Sequence, residues 1–258
     1  MEASAPLIRF ENVHKAFGQQ KVLDGMTLEV RRGETMVVIG RSGCGKSVML
    51  KCLLGLIRPD SGRILVEGTD VVPLPEEEMV KVRARFGMVF QGAALFDSLT
   101  VEENVGFALR RLGRPEDEIG RIVDERLRQV GLPGTGLKKP SELSGGMKKR
   151  VGLARALAMA PEAVLYDEPT TGLDPIMSDA INDLIVATRD SLGVTSIVVT
   201  HDMVSAYKVG HRVAMLHEGR VRALGTPAEI QASTDEAVQQ FIHGRAAGPI
   251  NVGVEAVT

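Results

Sequence analysis

Several things are scarce in this 258-residue chain. No uninterrupted apolar run approaches the roughly 18 residues that a membrane-spanning helix needs. No long basic run appears either, and 31 Lys and Arg against 33 Asp and Glu leave a formal charge of −2. The clustered cationic face required for sequence-independent nucleic-acid binding is therefore missing, and no nucleic-acid partner is expected. Cysteine occurs only as Cys44 and Cys52, with neither metal-ligand spacing nor a disulfide framework, which points to a reducing cytosol. The opening MEASAPLIRFE is acidic and lacks the basic start and apolar centre of a signal peptide. Internal repeats and low-complexity tracts are absent as well.

What is present is an alternation of strand and helix patterns. In GETMVVIGRSGCGKSVMLKCLLGL the apolar run Met36 to Ile39 gives way to helical spacing at Met49, Leu50, Leu53 and Leu54. AVLYDEP reads as a buried strand ending in acids, and DPIMSDAINDLIVATRDSL as a helix capped by Asp174 with Pro175 in its first turn. TSIVVTHD is a further apolar strand. Strands alternating with helices predict an α/β fold with a mainly parallel sheet, whose ligands sit at the carboxyl ends of the strands. Gly40, Asp167 and His201 all fall there.

Two regions break the alternation. At the N-terminus Met26, Leu28 and Val30 alternate as in a half-buried antiparallel strand, which predicts a β lobe. Residues from about 92 to 160 read as an inserted helical lobe, with Ile119, Ile122, Val123, Leu127 and Val130 on one stripe. The chain is thus one domain: β lobe and first part of the core over 7–91, helical lobe over 92–160, the rest of the core over 161–243, and a tail over 244–258. Capping boxes are expected at Thr226 with Glu229 and at Ser233 with Glu236, and Gly244 should end the last helix. The tail carries Ile250, Val252 and Val254 on alternate positions. It reads either as a frayed terminus or as an extended strip that docks on a partner.

The stretch GRSGCGKS fits the pattern G-x-x-x-x-G-K-[ST] between a strand and a helix. Its residues Gly40, Arg41, Ser42, Gly43, Cys44, Gly45, Lys46 and Ser47 form a phosphate cradle: backbone N–H groups surround phosphate oxygens, Lys46 reaches the β and γ phosphates, and the Ser47 hydroxyl ligates Mg²⁺. The nearby N–H groups and Lys46 are expected to lower the Cys44 thiol pKa. Asp167, ending an apolar strand, can hold the metal shell, and Glu168 can accept a proton from an attacking water. The bland reading of the two is a surface acidic pair. His201 can sense the γ-phosphate, although alone it reads as a structural histidine; Gln91 after FGMVF is weaker still by itself.

LSGGMKKR supplies a second anion device. Met147, Val151, Ala154 and Leu157 mark a helical stripe whose N-terminus is formed by Ser144, Gly145 and Gly146. Lys148, Lys149 and Arg150 sit in the first turns, where cations are disfavoured. That placement makes sense if an anion docks nearby, the alternative being a solvated basic face.

Over nearly its whole length the chain resembles the ATPase subunit of ABC transporters, a P-loop (RecA-like) fold. The shared motifs are the Walker A stretch at Gly40 to Ser47, the Q-loop at Gln91, LSGG at Leu143 to Gly146, Walker B ending at Asp167 and Glu168, TGLD at Thr171 to Asp174, and His201. The resemblance implies ATP and Mg²⁺ as cofactors, with Lys46, Gln91, Glu168 and His201 as catalytic residues and Ser47, Gln91 and Asp167 around the metal. It also implies a head-to-tail homodimer in which Ser144, Gly145, Gly146 and Asp174 of one copy close on the ATP held by the other. Phe17 stands where the family usually places a tyrosine to stack on adenine, and Met147 replaces the usual glutamine after LSGG.

The wording of LSGGMKKR and of FQGAALFDSLTVEENV resembles the subgroup that powers MCE-type lipid transporters, including the Mla system. An integral-membrane permease and a lipid-binding MCE protein are then the implied partners, and the cytoplasmic face of the inner membrane the implied place of work. Two other readings stay open: the ATPase of another importer, such as one for polar amino acids, and a soluble ABC ATPase acting on DNA or ribosomes. Leu95, Phe96, Leu99 and Val101 give the segment after Gln91 more apolar character than a solvated loop needs. It suits local packing or a groove for a permease helix.

Overall fold

The structure, a computed structural model, describes residues 6–250. The chain opens with strands β1 (Pro6–Phe17), β2 (Gln20–Arg31) and β3 (Thr35–Ile39), then helix α1 (Lys46–Leu53). Strands β4 (Ser61–Val66) and β5 (Thr69–Asp70), helix α2 (Glu76–Arg83) and strand β6 (Phe86–Val89) follow. Three helices come next, α3 (Val101–Arg111), α4 (Glu116–Gln129) and α5 (Gly145–Leu157). The rest alternates as β7 (Ala163–Asp167), α6 (Pro175–Leu192), β8 (Thr195–Thr200), α7 (Met203–Val209), β9 (Arg212–His217) and β10 (Arg220–Gly225), closing with α8 (Pro227–Gln231) and α9 (Glu236–Ile242). No helix among the described residues is long and apolar enough to cross a membrane.

Two sheets result. The antiparallel one runs β2-β1-β4-β5, and Met26, Leu28 and Val30 of β2 point into its buried face as their alternation predicts. The other runs β10-β9-β3-β8-β7-β6, parallel throughout except for the edge pair β10 and β9. Strand β3 lies between two parallel neighbours with every residue buried, which is why its sequence is a continuous apolar run rather than an alternation. Register then aligns the strand ends. Ile39 pairs with Thr200, and Asp167 pairs with Val199, so the residues that follow β3, β7 and β8 emerge side by side.

In the helical region Ile119, Val123, Leu127 and Val130 are buried as expected, with Ile122 half-buried. Residues 92–100 form turns rather than helix. Buried Asn104 organises them: its Oδ1 accepts from Phe96 N at 2.8 Å, and its Nδ2 donates to the carbonyls of Phe96, Leu99 and Thr100 at 3.1, 3.3 and 2.9 Å.

At the C-terminal end the cap of α9 needs correction, and the tail is described only as far as Ile250. Helix α9 is capped by Asp235, whose Oδ1 accepts from Ala237 N at 2.9 Å and Val238 N at 3.0 Å; Ser233 instead accepts from Asp235 N, just before the helix. A carboxylate next to the helix dipole can serve two N–H groups at once, so it displaces the hydroxyl. Gly244 does stop the helix at φ +62°, and the described residues after it do not leave as a free strip. Residues 245–250 fold back on their own chain. Gln240 donates to Ala246 O at 3.2 Å and Ile250 O at 3.1 Å and accepts from Ile250 N at 2.7 Å, and Ile250 is buried in the main core. Val252 and Val254 lie outside the described residues.

Candidate active site

The phosphate cradle is built by backbone that only glycine permits. Gly40 has φ +153°, and a Cβ there would lie 2.4 Å from Leu216 O and 2.7 Å from Cys44 Sγ; Gly45 has φ +107°, and its Cβ would meet Val22 O at 2.7 Å. The loop so folded delivers the chain into α1, whose first-turn N–H groups have no helical acceptor. Lys46, only 5% exposed, turns back over the loop. Its Nζ donates to Gly40 O at 2.7 Å and Arg41 O at 3.1 Å. Ser47 Oγ donates to Asp167 Oδ1 at 2.8 Å, so the hydroxyl from the helix and the carboxylate from the strand end share one spot, as two hard oxygen donors suited to a divalent cation.

Glu168 is held by contacts on every side. It has φ +52°, a conformation costly for a residue with a side chain, and its N–H donates to Val199 O at 2.9 Å across the sheet. Its Oε1 faces Lys46 Nζ at 3.7 Å. Its Oε2 contacts His201 Nδ1 at 2.8 Å and accepts from Thr171 Oγ1 at 3.0 Å. Lys46, Ser47, Gln91, Glu168 and His201 line one cavity of about 250 Å³ with Ser42, Gly43 and Gly45. The residues expected at four separate strand ends are therefore brought together at the carboxyl edge of the parallel sheet.

Other expected site residues stand apart. Ser144 caps α5, accepting from Met147 N at 3.3 Å, and with Gly145 it is exposed outside the cavity. Asp174 spends its Oδ1 on Ile176 N and Met177 N as the cap of α6, each at 3.0 Å. Phe17 is half exposed with Lys15 Nζ 5.5 Å from its ring centre, and does not line the cavity. Lys15 also bonds Asp60 Oδ1 at 2.7 Å, while Ala16 N donates to Asp60 Oδ2 at 2.7 Å.

The Cys44 expectation is overturned. Burial pushes its thiol up, outweighing the opposing pull of Lys46. Cys44 is half-buried, with its sulfur on the side where a Cβ on Gly40 would stand. The basic trio of α5 also divides. Lys149 is buried and donates to Glu168 O at 3.3 Å, and burial depresses its ammonium below the usual lysine range against the pull of Glu168. Lys148 and Arg150 are half-buried.

Thr171 and Lys149 escaped the sequence reading as residues touching Glu168. The only local signal for Thr171 was its place three residues after Glu168 beyond a proline, a spacing that permits a turn. Its N–H does close that turn onto Glu168 O at 3.3 Å.

Comparison with known proteins bears on this arrangement. Residues 23–171 match the family model described as ABC transporter. The chain is 38% identical over 245 residues to the intermembrane phospholipid transport system ATP-binding protein MlaF of Haemophilus influenzae, covering 95% of this chain and 93% of that protein. It is 41% identical over 250 residues to the "Probable ribonucleotide transport ATP-binding protein mkl" of Mycobacterium leprae, covering 96% of this chain and 72% of that one. Among solved structures it is similar to an ATP-binding cassette captured as a dimer in a post-hydrolysis state with ADP and Pi. That match has TM-score 0.78 and 32% identity, over 85% of this chain and 98% of the cassette.

Proposed function

The chain belongs to the ABC transporter ATP-binding family, and from that premise we propose that it hydrolyses ATP to energise phospholipid transport across the cell envelope. The observation that carries the cargo is the near end-to-end similarity to MlaF, over 95% of one chain and 93% of the other. The mycobacterial relative, whose name specifies ribonucleotides, extends further beyond the match.

In this reading two copies face each other head to tail. The cradle of one copy binds ATP, and Ser144, Gly145 and Gly146 of the other close on it; the exposure of Ser144 and Gly145 outside the cavity of their own chain favours that arrangement. Ser47 and Asp167, with Gln91 beside them, would hold Mg²⁺, which when bound neutralises charge on the β and γ phosphates. Lys46 exchanges the loop carbonyls for phosphate oxygens. Water attacks the γ-phosphorus as Glu168 takes its proton, the bond to ADP breaks, and phosphate leaves; His201 contacts the γ-phosphate. Phe17 stacks on adenine. The protein works peripherally at the cytoplasmic face of the inner membrane, under a permease and with a lipid-binding MCE protein.

The permease groove includes Phe96 and Phe107, whose rings lie 4.7 Å apart and stay partly exposed. Exposed aromatic pairs are common anchors of interfaces. Phe96→Asp is expected to leave the ATPase rate of the isolated chain within about twofold while abolishing copurification with the permease. Intact assembly and transport-coupled activity would move the groove elsewhere. The cargo is tested by reconstituting the complex in vesicles and following a labelled phospholipid and a labelled ribonucleotide. ATP-dependent movement of the phospholipid alone supports the reading; movement of the ribonucleotide alone contradicts it.

A further inference from the structure

Glu168 uses its two carboxylate oxygens differently. Oε1 lies 3.7 Å from Lys46 Nζ in the cradle, whereas Oε2 takes both side-chain hydrogen bonds, with His201 Nδ1 at 2.8 Å and from Thr171 Oγ1 at 3.0 Å. A general base must keep one oxygen free for the proton and still hold the carboxylate in a narrow range of angles. An anchor on Oε2 does both. His201 is an anchor on loan if it moves to the γ-phosphate when ATP binds. Thr171 has no such competing duty.

Thr171 is also tied to the element that follows. It closes the turn from Glu168 through its N–H, is half-buried, and opens the segment Thr171 to Asp174 that ends in the cap of α6. With Gly172, Leu173 and His201 it lines a second cavity of about 400 Å³, which meets the cradle at His201. Any shift of that segment therefore reaches the carboxylate oxygen through the Thr171 hydroxyl, beside the backbone link of the turn.

We propose that Thr171 is a positioning residue for ATP hydrolysis: its hydroxyl holds Oε2 of Glu168 so that Oε1 stays aimed at the attacking water once His201 has turned to the nucleotide. The inference rests on Glu168 acting as the general base. Thr171 itself touches neither water nor phosphate, so its removal changes turnover and leaves nucleotide binding alone.

The test compares Thr171→Val, which keeps shape and loses the donor, with Thr171→Ser, which keeps the donor, in the full-length chain with Mg–ATP. Thr171→Val is expected to lower kcat by about tenfold, the share of a general-base contribution of about 10²- to 10⁴-fold that depends on aim, with KM for ATP within about twofold. Thr171→Ser should return to within about threefold of the parent. Slower hydrolysis should also let the ATP-bound dimer accumulate in size-exclusion runs. In a Glu168→Gln background, Thr171→Val should have no further effect, because nothing remains to aim. A wild-type or faster kcat in Thr171→Val overturns the proposal, as does a loss that serine does not rescue and that comes with loss of the ATP-bound dimer. If Glu168→Gln itself turns over normally, the base assignment fails; if it stalls while Thr171→Val does not slow, only the role of Thr171 fails.

Discussion

Glu168→Gln is expected to bind ATP normally and to turn it over about 10²- to 10⁴-fold more slowly, the usual cost of removing a positioned base. The substitution is nearly isosteric. The carboxamide oxygen of the introduced glutamine can still accept from Thr171 and His201, and the backbone contacts of this position, N–H to Val199 and carbonyl from Lys149, do not involve the side chain. The strained turn at φ +52° should therefore persist, and only the proton acceptor is lost. Because binding is kept and hydrolysis is not, the variant should accumulate as an ATP-bound dimer. Turnover at the parental rate would remove Glu168 from the role of base.

Lys46→Met is expected to act on binding itself. The ammonium is buried and stands on the carbonyls of Gly40 and Arg41, so it is already in the cradle and needs only to exchange those partners for phosphate oxygens. Charge-assisted hydrogen bonds contribute about 1.5–3 kcal/mol each, and about 1.4 kcal/mol is a factor of ten, so losing two weakens ATP binding by about 10²- to 10⁴-fold. Methionine retains the apolar stem, and the thermal midpoint without nucleotide serves as the control for an undisturbed fold. Equal ATP affinity in a folded Lys46→Met protein would contradict the assigned cradle.

How much of this was legible in the sequence depended on the range of each interaction. The P-loop was, because its glycines, Lys46 and Ser47 act within one turn between a strand and a helix that are each recognisable by period. The apolar runs of β3, β7 and β8 announced a parallel sheet for the same reason. The contact between His201 and Glu168 was not legible: it joins residues 33 apart and exists only because β7 and β8 pair in the register that sets Asp167 against Val199. Cys44 misled because Lys46 is close in sequence, whereas the burial that dominates is set by the folded loop and cannot be read from neighbouring residues. Lys149 looked like part of a basic face, yet its position on α5 turns it inward to a carbonyl of the strand-end turn. Ser233 with Glu236 was read as the capping box, but the helix starts later than that pairing assumes, and Asp235 caps it instead. Ile250 alternates like an exposed strip, but the group that captures it, Gln240, lies in the middle of α9 and shows no sign of that duty in the sequence.

The central claim is that each ATP is enclosed by the cradle of one copy and the LSGG helix start of another. Mixing two inactive variants tests it most directly. Lys46→Met disables a cradle and leaves the LSGG loop intact; Ser144→Arg blocks the loop and leaves the cradle intact. Each homodimer has two defective sites, but a heterodimer of the two has one site defective in both halves and one site fully intact. With random pairing about half the dimers are mixed, each with one of two sites working, so an equimolar mixture should recover about a quarter of the parental ATPase rate from two near-silent proteins. If the mixture stays as inactive as its components while heterodimers are demonstrably present, the two phosphate devices do not meet across a dimer, and the account is wrong.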